Sequence, residues 1–177
     1  MKIFLPIYLA FSLFVNAHDN SRPLAKEGML LNNVFCNNSI CSPSRATILT
    51  GQYSFTNGVT ALGGKVSKDK QYLPIAMKAA GYETAVIGKW HLGEGKAHEP
   101  TGFDYWSVLP GQGDYFDPVF IEMGKEVEEQ GYATDIITSK CIDWLSSRNK
   151  NQPFFLMCHH KAPHREWEPH PKNRKLY

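Results

Sequence analysis

The sequence predicts an α/β protein with a mostly parallel sheet and flanking helices. Three observations carry that expectation. Two short apolar runs, Thr84-Ala85-Val86-Ile87 and Pro153-Phe154-Phe155-Leu156-Met157-Cys158, have the make-up of strands buried on both faces. Each closely follows a segment of helical character. Each runs into a polar cluster, Gly88-Lys89-Trp90-His91 and His159-His160-Lys161-Ala162-Pro163-His164, at the strand end where open parallel sheets bind ligands. The 177 residues, 42% hydrophobic and 20% charged, are enough for one domain with a core. A formal net charge of +2 is too close to neutral to argue for nucleic acid or a membrane surface as partner.

The N-terminus differs from the rest. Lys2 precedes an apolar run from Ile3 to Phe14, and Val15-Asn16-Ala17 resembles a small-residue cleavage site. Residues 1–17 therefore read as a signal peptide cut after Ala17, which implies a secreted, periplasmic or lysosome-like location. The run is too short to span a bilayer comfortably and contains Pro6, so no stable membrane anchor is expected. Residues 18–177 form the domain proper.

Within it, residues 24–27 read as a helix tail ended by Gly28, and 29–36 as a short strand. Ser42 is expected to cap a helix with Pro43 in its first turn, Ala46, Ile48 and Leu49 towards the core, and Gly51 as its stop. A second helix spans 74–80, with Leu73, Ala76, Met77 and Ala80 on one side and Gly81 closing it. Residues 82–88 follow as a strand. Residues 93–131, rich in Gly, Pro and Asp, read as loops with a hairpin from 119–123 and 125–127. The helical spacing of Ile136, Ile137, Cys141, Trp144 and Leu145 marks a helix over 134–147. A strand over 153–158 is the last element.

Cys41 stands just before the expected helix N-terminus, where free N–H groups and the helix dipole favour an anion. Arg45, one turn on, can point back to the same spot. A nucleophilic side chain, a fixed cation and oriented backbone donors would suit a tetrahedral oxyanion. Cys36, Cys141 and Cys158 are the other cysteines, and their pairing cannot be deduced from the sequence.

The run Cys41-Ser42-Pro43-Ser44-Arg45-Ala46-Thr47-Ile48-Leu49-Thr50-Gly51 resembles the C-x-P-S-R…L-T-G motif of the type I, formylglycine-dependent sulfatases. Asn57-Gly58-Val59, Gly88-Lys89-Trp90-His91-Leu92-Gly93, Gly102-Phe103-Asp104 and the segment from Pro153 to His164 continue the likeness in order. The resemblance implies the alkaline-phosphatase-like sandwich and a sulfuric ester hydrolase. It implies that a formylglycine-generating or anaerobic sulfatase-maturing enzyme oxidises Cys41 to an aldehyde. The hydrate carries two hydroxyls on one carbon, one to attack sulfur and one to release the sulfate afterwards. Arg45, Lys89 and His91 would be catalytic with Cys41. His164 and Lys89 would bind sulfate, with His160 a candidate for substrate contact. A sulfated carbohydrate is the expected substrate, and Trp167 could stack on a sugar ring.

The family also holds a divalent cation, usually calcium, between carboxylates and the formylglycine. Cys41, as formylglycine, is the one expected ligand found here. No Asp-Asp pair lies between Ala17 and Leu24, and no Asp-Asn or Asp-His pair follows His164. Asp19, Asp114 and Asp117 lack the strand-end context, and Asp104 belongs to a block away from the metal. The sequence is thus expected to be a truncated, impaired copy lacking the first metal-binding strand, with an exposed parallel sheet edge. The alternative is a non-catalytic secreted remnant that binds an anion or glycan through Arg45, Lys89 and His164. A related phosphatase is disfavoured, because those enzymes carry Ser or Thr where Cys41 stands.

Overall fold

The structure is a computed structural model that describes Gly28 and residues 31–175. The chain divides into two compact units, Met1–Phe35 and Cys36–Tyr177. Of the first, only Gly28 and residues 31–35 are described, so the signal peptide and the helix tail at 24–27 lie outside the described residues. The strand expected over 29–36 does not form in its described part. Residues 31–36 are irregular, and Leu31, Val34 and Phe35 are exposed. Three apolar residues with no sheet neighbour to pair with do not make a strand.

The second unit holds four α-helices and five strands among the described residues. They are α1 (Cys41–Thr50), α2 (Ser54–Asn57), α3 (Leu73–Ala79), β1 (Glu83–Lys89), β2 (Tyr105–Leu109), β3 (Val119–Glu122), β4 (Lys125–Glu128), α4 (Ala133–Ser147) and β5 (Phe154–His159). The sheet order is β4-β3-β2-β1-β5. β1 is central and parallel to both β2 and β5. β3 and β4 form the expected antiparallel hairpin and extend the sheet on the β2 side. β2 lies in the stretch read as loop. It is only five residues long, and its apolar content, Tyr-Trp-Ser-Val-Leu, is masked by Gly and Pro on either side.

Strand alternation sorts the side chains into two layers. Val86, Trp106 and Val108 join Ala46 and Leu49 of α1, with Val59, Val66, Tyr72, Trp90, Leu92 and Phe103, on one face. Ala85, Ile87, Leu109 and Phe120 pack against Ile137, Cys141 and Trp144 of α4 on the other. The parallel core therefore has cover on both faces, as its unbroken apolar strands require.

Helix details differ from expectation at two places. The cap of α1 is Ile40, not Ser42, and Cys41 is already helical. Ser42 is buried instead, and its hydroxyl accepts from Gly63 N at 3.3 Å. Gly51 ends α1 in the left-handed conformation, as expected. Helix α3 spans Leu73–Ala79, and its apolar side is not a core face. Leu73 and Ile75 are 37% and 45% exposed, and Pro74 alone is fully buried. β5 lies at the sheet's edge, and its residues are half-buried or exposed rather than buried. It pairs with β1 on one side and with no other strand among the described residues.

Candidate active site

The two polar clusters meet because β1 and β5 are adjacent and parallel, with Gly88 opposite His159. Gly88 permits this approach. It has φ of +104°, and a Cβ there would sit 2.0 Å from the His159 carbonyl oxygen. Three residues later His91 also takes a positive φ, 57°, unusual for a side chain with a Cβ. The turn at the end of β1 aims Lys89 and His91 towards the start of α1.

Helix α1 is fixed beneath that turn. Asn57 ties its C-terminal side: Oδ1 accepts from Val59 N at 2.8 Å, and Nδ2 donates to Gln52 O at 3.0 Å. Arg45 ties the helix to both strands. Its Nη1 donates to the Lys89 carbonyl at 2.6 Å and lies 3.2 Å from His159 Nδ1. The same Nδ1 lies 3.1 Å from the Lys89 carbonyl, so it either accepts from Arg45 or donates to that carbonyl, according to the tautomer. Burial, then the charge of Arg45, pushes His159 down to about 4, which keeps the ring neutral. Burial also lowers Arg45, against the opposing pull of Cys41, yet a guanidinium stays charged.

Cys41 Sγ lies 3.9 Å from Lys89 Nζ. The thiol occupies the place where the formylglycine oxygens would be attached. Lys89 is 3% exposed, and burial, opposed by Cys41 and reinforced by Arg45 and Lys161, pushes it down to about 8. Its ammonium also donates to Gln112 Oε1. The Gln112 amide nitrogen is 3.3 Å from His91 Nε2, so that nitrogen accepts. The other ring nitrogen of His91, Nδ1, is buried without a partner. Burial, then Lys89, Arg45 and His164, hold His91 below the ordinary histidine range. Lys161 is buried as well, 4.6 Å from the Tyr115 ring centroid, and reaches the Gln112 carbonyl at 3.4 Å.

The structure thus brings Cys41, Arg45, Lys89 and His91 together, with His164 near enough to act on His91 electrostatically. The His164 ring turns to the Arg165 carbonyl, and its own carbonyl accepts from the Tyr115 hydroxyl. His160 points elsewhere: its Nε2 is 3.7 Å from Cys158 Sγ. Trp167 is 71% exposed. Sequence reasoning assigned no role to Gln112, Lys161 or His159. The first lies in a loop without pattern, and the others become central only when β5 is laid beside β1. A cleft of about 240 Å³ opens beside His91, Gln112, Glu94 and Lys65. A larger one of about 460 Å³, along α4 near Tyr132 and His170, holds none of these groups.

Arg45, Lys89 and Lys161 pair with no carboxylate among the described residues. Buried cations so arranged suit a doubly charged tetrahedral anion. The family profile named Sulfatase matches residues 12–175, nearly the whole chain. The chain belongs to the sulfatase family. An N-acetylglucosamine-6-O-sulfatase of Bacteroides thetaiotaomicron is 48% identical over 161 residues, covering 89% of this chain and 28% of that protein. The N-acetylglucosamine-6-sulfatase of Homo sapiens is 28% identical, covering 87% of this chain and 32% of its own length. The solved structure of BT4656 in complex with its substrate D-glucosamine-2-N,6-O-disulfate superposes with a TM-score of 0.76 at 51% identity. That match covers 80% of this chain and 28% of the other. The sulfatase chain therefore spans about a third or less of the relatives it matches.

No group of three or more His, Cys, Asp or Glu able to hold a metal occurs among the described residues. The calcium expected of a sulfatase finds no carboxylate site in them. Asp104, set aside from the metal on sequence grounds, accepts from Thr84 N at 3.0 Å and Thr84 Oγ1 at 2.9 Å. Asp117 Oδ1 accepts from Gly131 N at 2.7 Å. Asp104 thus holds the start of β1, and Asp117 holds the loop at Gly131. No helix among the described residues is long and apolar enough to cross a membrane.

Proposed function

We propose that this sulfatase chain is part of a sulfuric ester hydrolase that removes a 6-O-sulfate from a glucosamine-type sugar. One observation carries the reading: Cys41, at the first turn of α1, faces the buried ammonium of Lys89 at the end of β1, with the half-buried Arg45 one helical turn on. Support for the sugar comes from the relatives, one named N-acetylglucosamine-6-O-sulfatase and one bound to D-glucosamine-2-N,6-O-disulfate. Carried as formylglycine, position 41 would supply a hydrated aldehyde as nucleophile.

The remaining steps fall to this chain's own groups. Lys89 and Arg45 offset charge on the sulfuryl oxygens, and burial strengthens them because little water screens the site. Gln112 holds the Lys89 ammonium and leaves the Nε2 lone pair of His91 directed. A neutral His91 can take up a proton at Nε2 once substrate displaces the Gln112 amide from it. His164 would add a further sulfate contact, and the exposed Trp167 would offer a face for the sugar ring. An exported location and a formylglycine-generating or anaerobic maturing enzyme as partner belong to the same proposal, resting on residues 2–17 and 41–45.

The test is co-expression with a maturing enzyme, mass spectrometry of the peptide bearing Cys41, and sulfate release from glucosamine 6-sulfate by the full-length protein. Aldehyde at position 41 with release abolished by Cys41→Ala is expected. A persistent thiol with tight sulfate-sugar binding and no release would favour a binding protein instead.

A further inference from the structure

A second cluster of reactive side chains lies on the opposite face of the sheet from Cys41. Cys141 is a buried residue of α4, packed among Ile87, Ile137 and Trp144. Leu156 of β5 packs against the same layer. Phe154 does too, stacking edge-on with Trp144 at 6.1 Å. Side chains two apart on a strand share a face, so Cys158 also points to the α4 side. There Cys158 stands in register with Ile87, which packs with Cys141 in the same layer. On its other flank Cys158 meets His160 Nε2 at 3.7 Å. Cys158 is exposed, Cys141 is not, and all four cysteines of the chain are free thiols.

We propose that Cys158 and Cys141 are a thiol–disulfide exchange pair, with Cys158 as the attacking thiol and Cys141 as the resolving one. The oxidant is a disulfide of the low-molecular-weight thiol class, written RS–SR. Cys158 thiolate attacks one sulfur, forms Cys158–S–S–R and expels RS⁻, which takes up a proton. The Cys141 thiol then loses its proton and attacks Cys158 Sγ. The Cys158–SR bond breaks, a second RSH leaves, and a Cys141–Cys158 disulfide remains. Two cysteines are oxidised by two electrons and RS–SR is reduced to two RSH. The neighbouring Cys141 thiol, then His160, holds Cys158 down to about 5, a thiolate at neutral pH. The neighbouring Cys158, then burial, pushes Cys141 up, fitting it to attack second.

The consequence is mechanical and electrostatic. The disulfide would staple edge strand β5 to α4, closing an 18-residue loop from 141 to 158. It would also remove the anionic sulfur that raises His160. This inference does not depend on sulfatase chemistry at Cys41.

The experiment treats the native protein with oxidised glutathione and maps its tryptic peptides. A cross-link between peptide 141–148 and peptide 151–161 is expected, with glutathione trapped on Cys158 in Cys141→Ser. Iodoacetamide should label Cys158 at pH 6 at least ten times faster than Cys36. The oxidised protein should melt roughly 6 to 12 °C higher. The His160 ring should titrate at lower pH by NMR. Equal labelling of Cys158 and Cys36, or a cross-link joining any other pair, would overturn the proposal. Both of those readings come from the unmutated protein, so a misfolded variant cannot decide the matter.

Discussion

At the scale of single residues, Arg45 is a brace as much as a charge. Its two bonds, to the Lys89 carbonyl and the His159 ring, hold α1 against β1 and β5. Both use Nη1 and leave Nη2 for an anion, whereas lysine has one nitrogen to serve all three. Arg45→Lys should therefore weaken binding of inorganic sulfate on the order of 10- to 100-fold by calorimetry, where charge counting alone predicts no change. Lys89 adds a pH dependence. Only its ammonium attracts an anion, and with Cys41 as thiol it is held near 8. Sulfate affinity should be full below that pH and fall above it, and Lys89→Met should flatten the profile. These residues were legible in the sequence because they sit in contiguous blocks. Gln112 was not, because its role comes from a loop that folds back over Lys89.

At the scale of elements, the end of β1 is the critical junction. Gly88→Ala places a methyl group against the His159 carbonyl at a positive φ. It should cost roughly 2 to 4 kcal/mol in urea unfolding, with the loss felt at both β1 and β5. The start of β1 is held by Asp104. Burial alone would raise that carboxyl, but bonds from Lys78 and Thr84 outweigh burial and keep it below the ordinary range. A depressed folded value means its stabilising effect is complete above the unfolded carboxylate pKa and lost as pH falls through the folded one. Asp104→Asn should thus lower stability at pH 7 and make acid unfolding less steep. Among the elements, α1, α4, the hairpin, β1 and β5 were readable from periodicity and stop signals. Strand β2 was not, since five residues between glycines carry too little pattern. The strand expected at 29–36 failed in its described part because apolar content without a pairing partner does not fix a strand.

At the scale of the whole molecule, the site and the fold stand or fall together. Arg45 and Lys89 join one face's helix to the central strand, and no carboxylate among the described residues neutralises them. An anion bound there should stabilise the entire second unit. Sulfate at 100 times its Kd adds about 2.7 kcal/mol, which is roughly 5 to 10 °C in Tm. Sodium chloride of equal ionic strength should leave Tm nearly unchanged, and an equal rise with both salts would count against a specific site.

The sequence by itself determined the family, the α/β class and the residues around Cys41. Each is written in short ordered blocks whose local chemistry (helix start, strand end, glycine turn) needs no distant partner to be recognised. The tertiary structure decided what those blocks face. It set His91 against Gln112, turned His160 away to Cys158 and placed Cys158 across from Cys141. It also laid Arg45 against His159, 114 positions away. Such contacts depend on strand order and on which face alternation presents, and neither is fixed until the sheet is assembled.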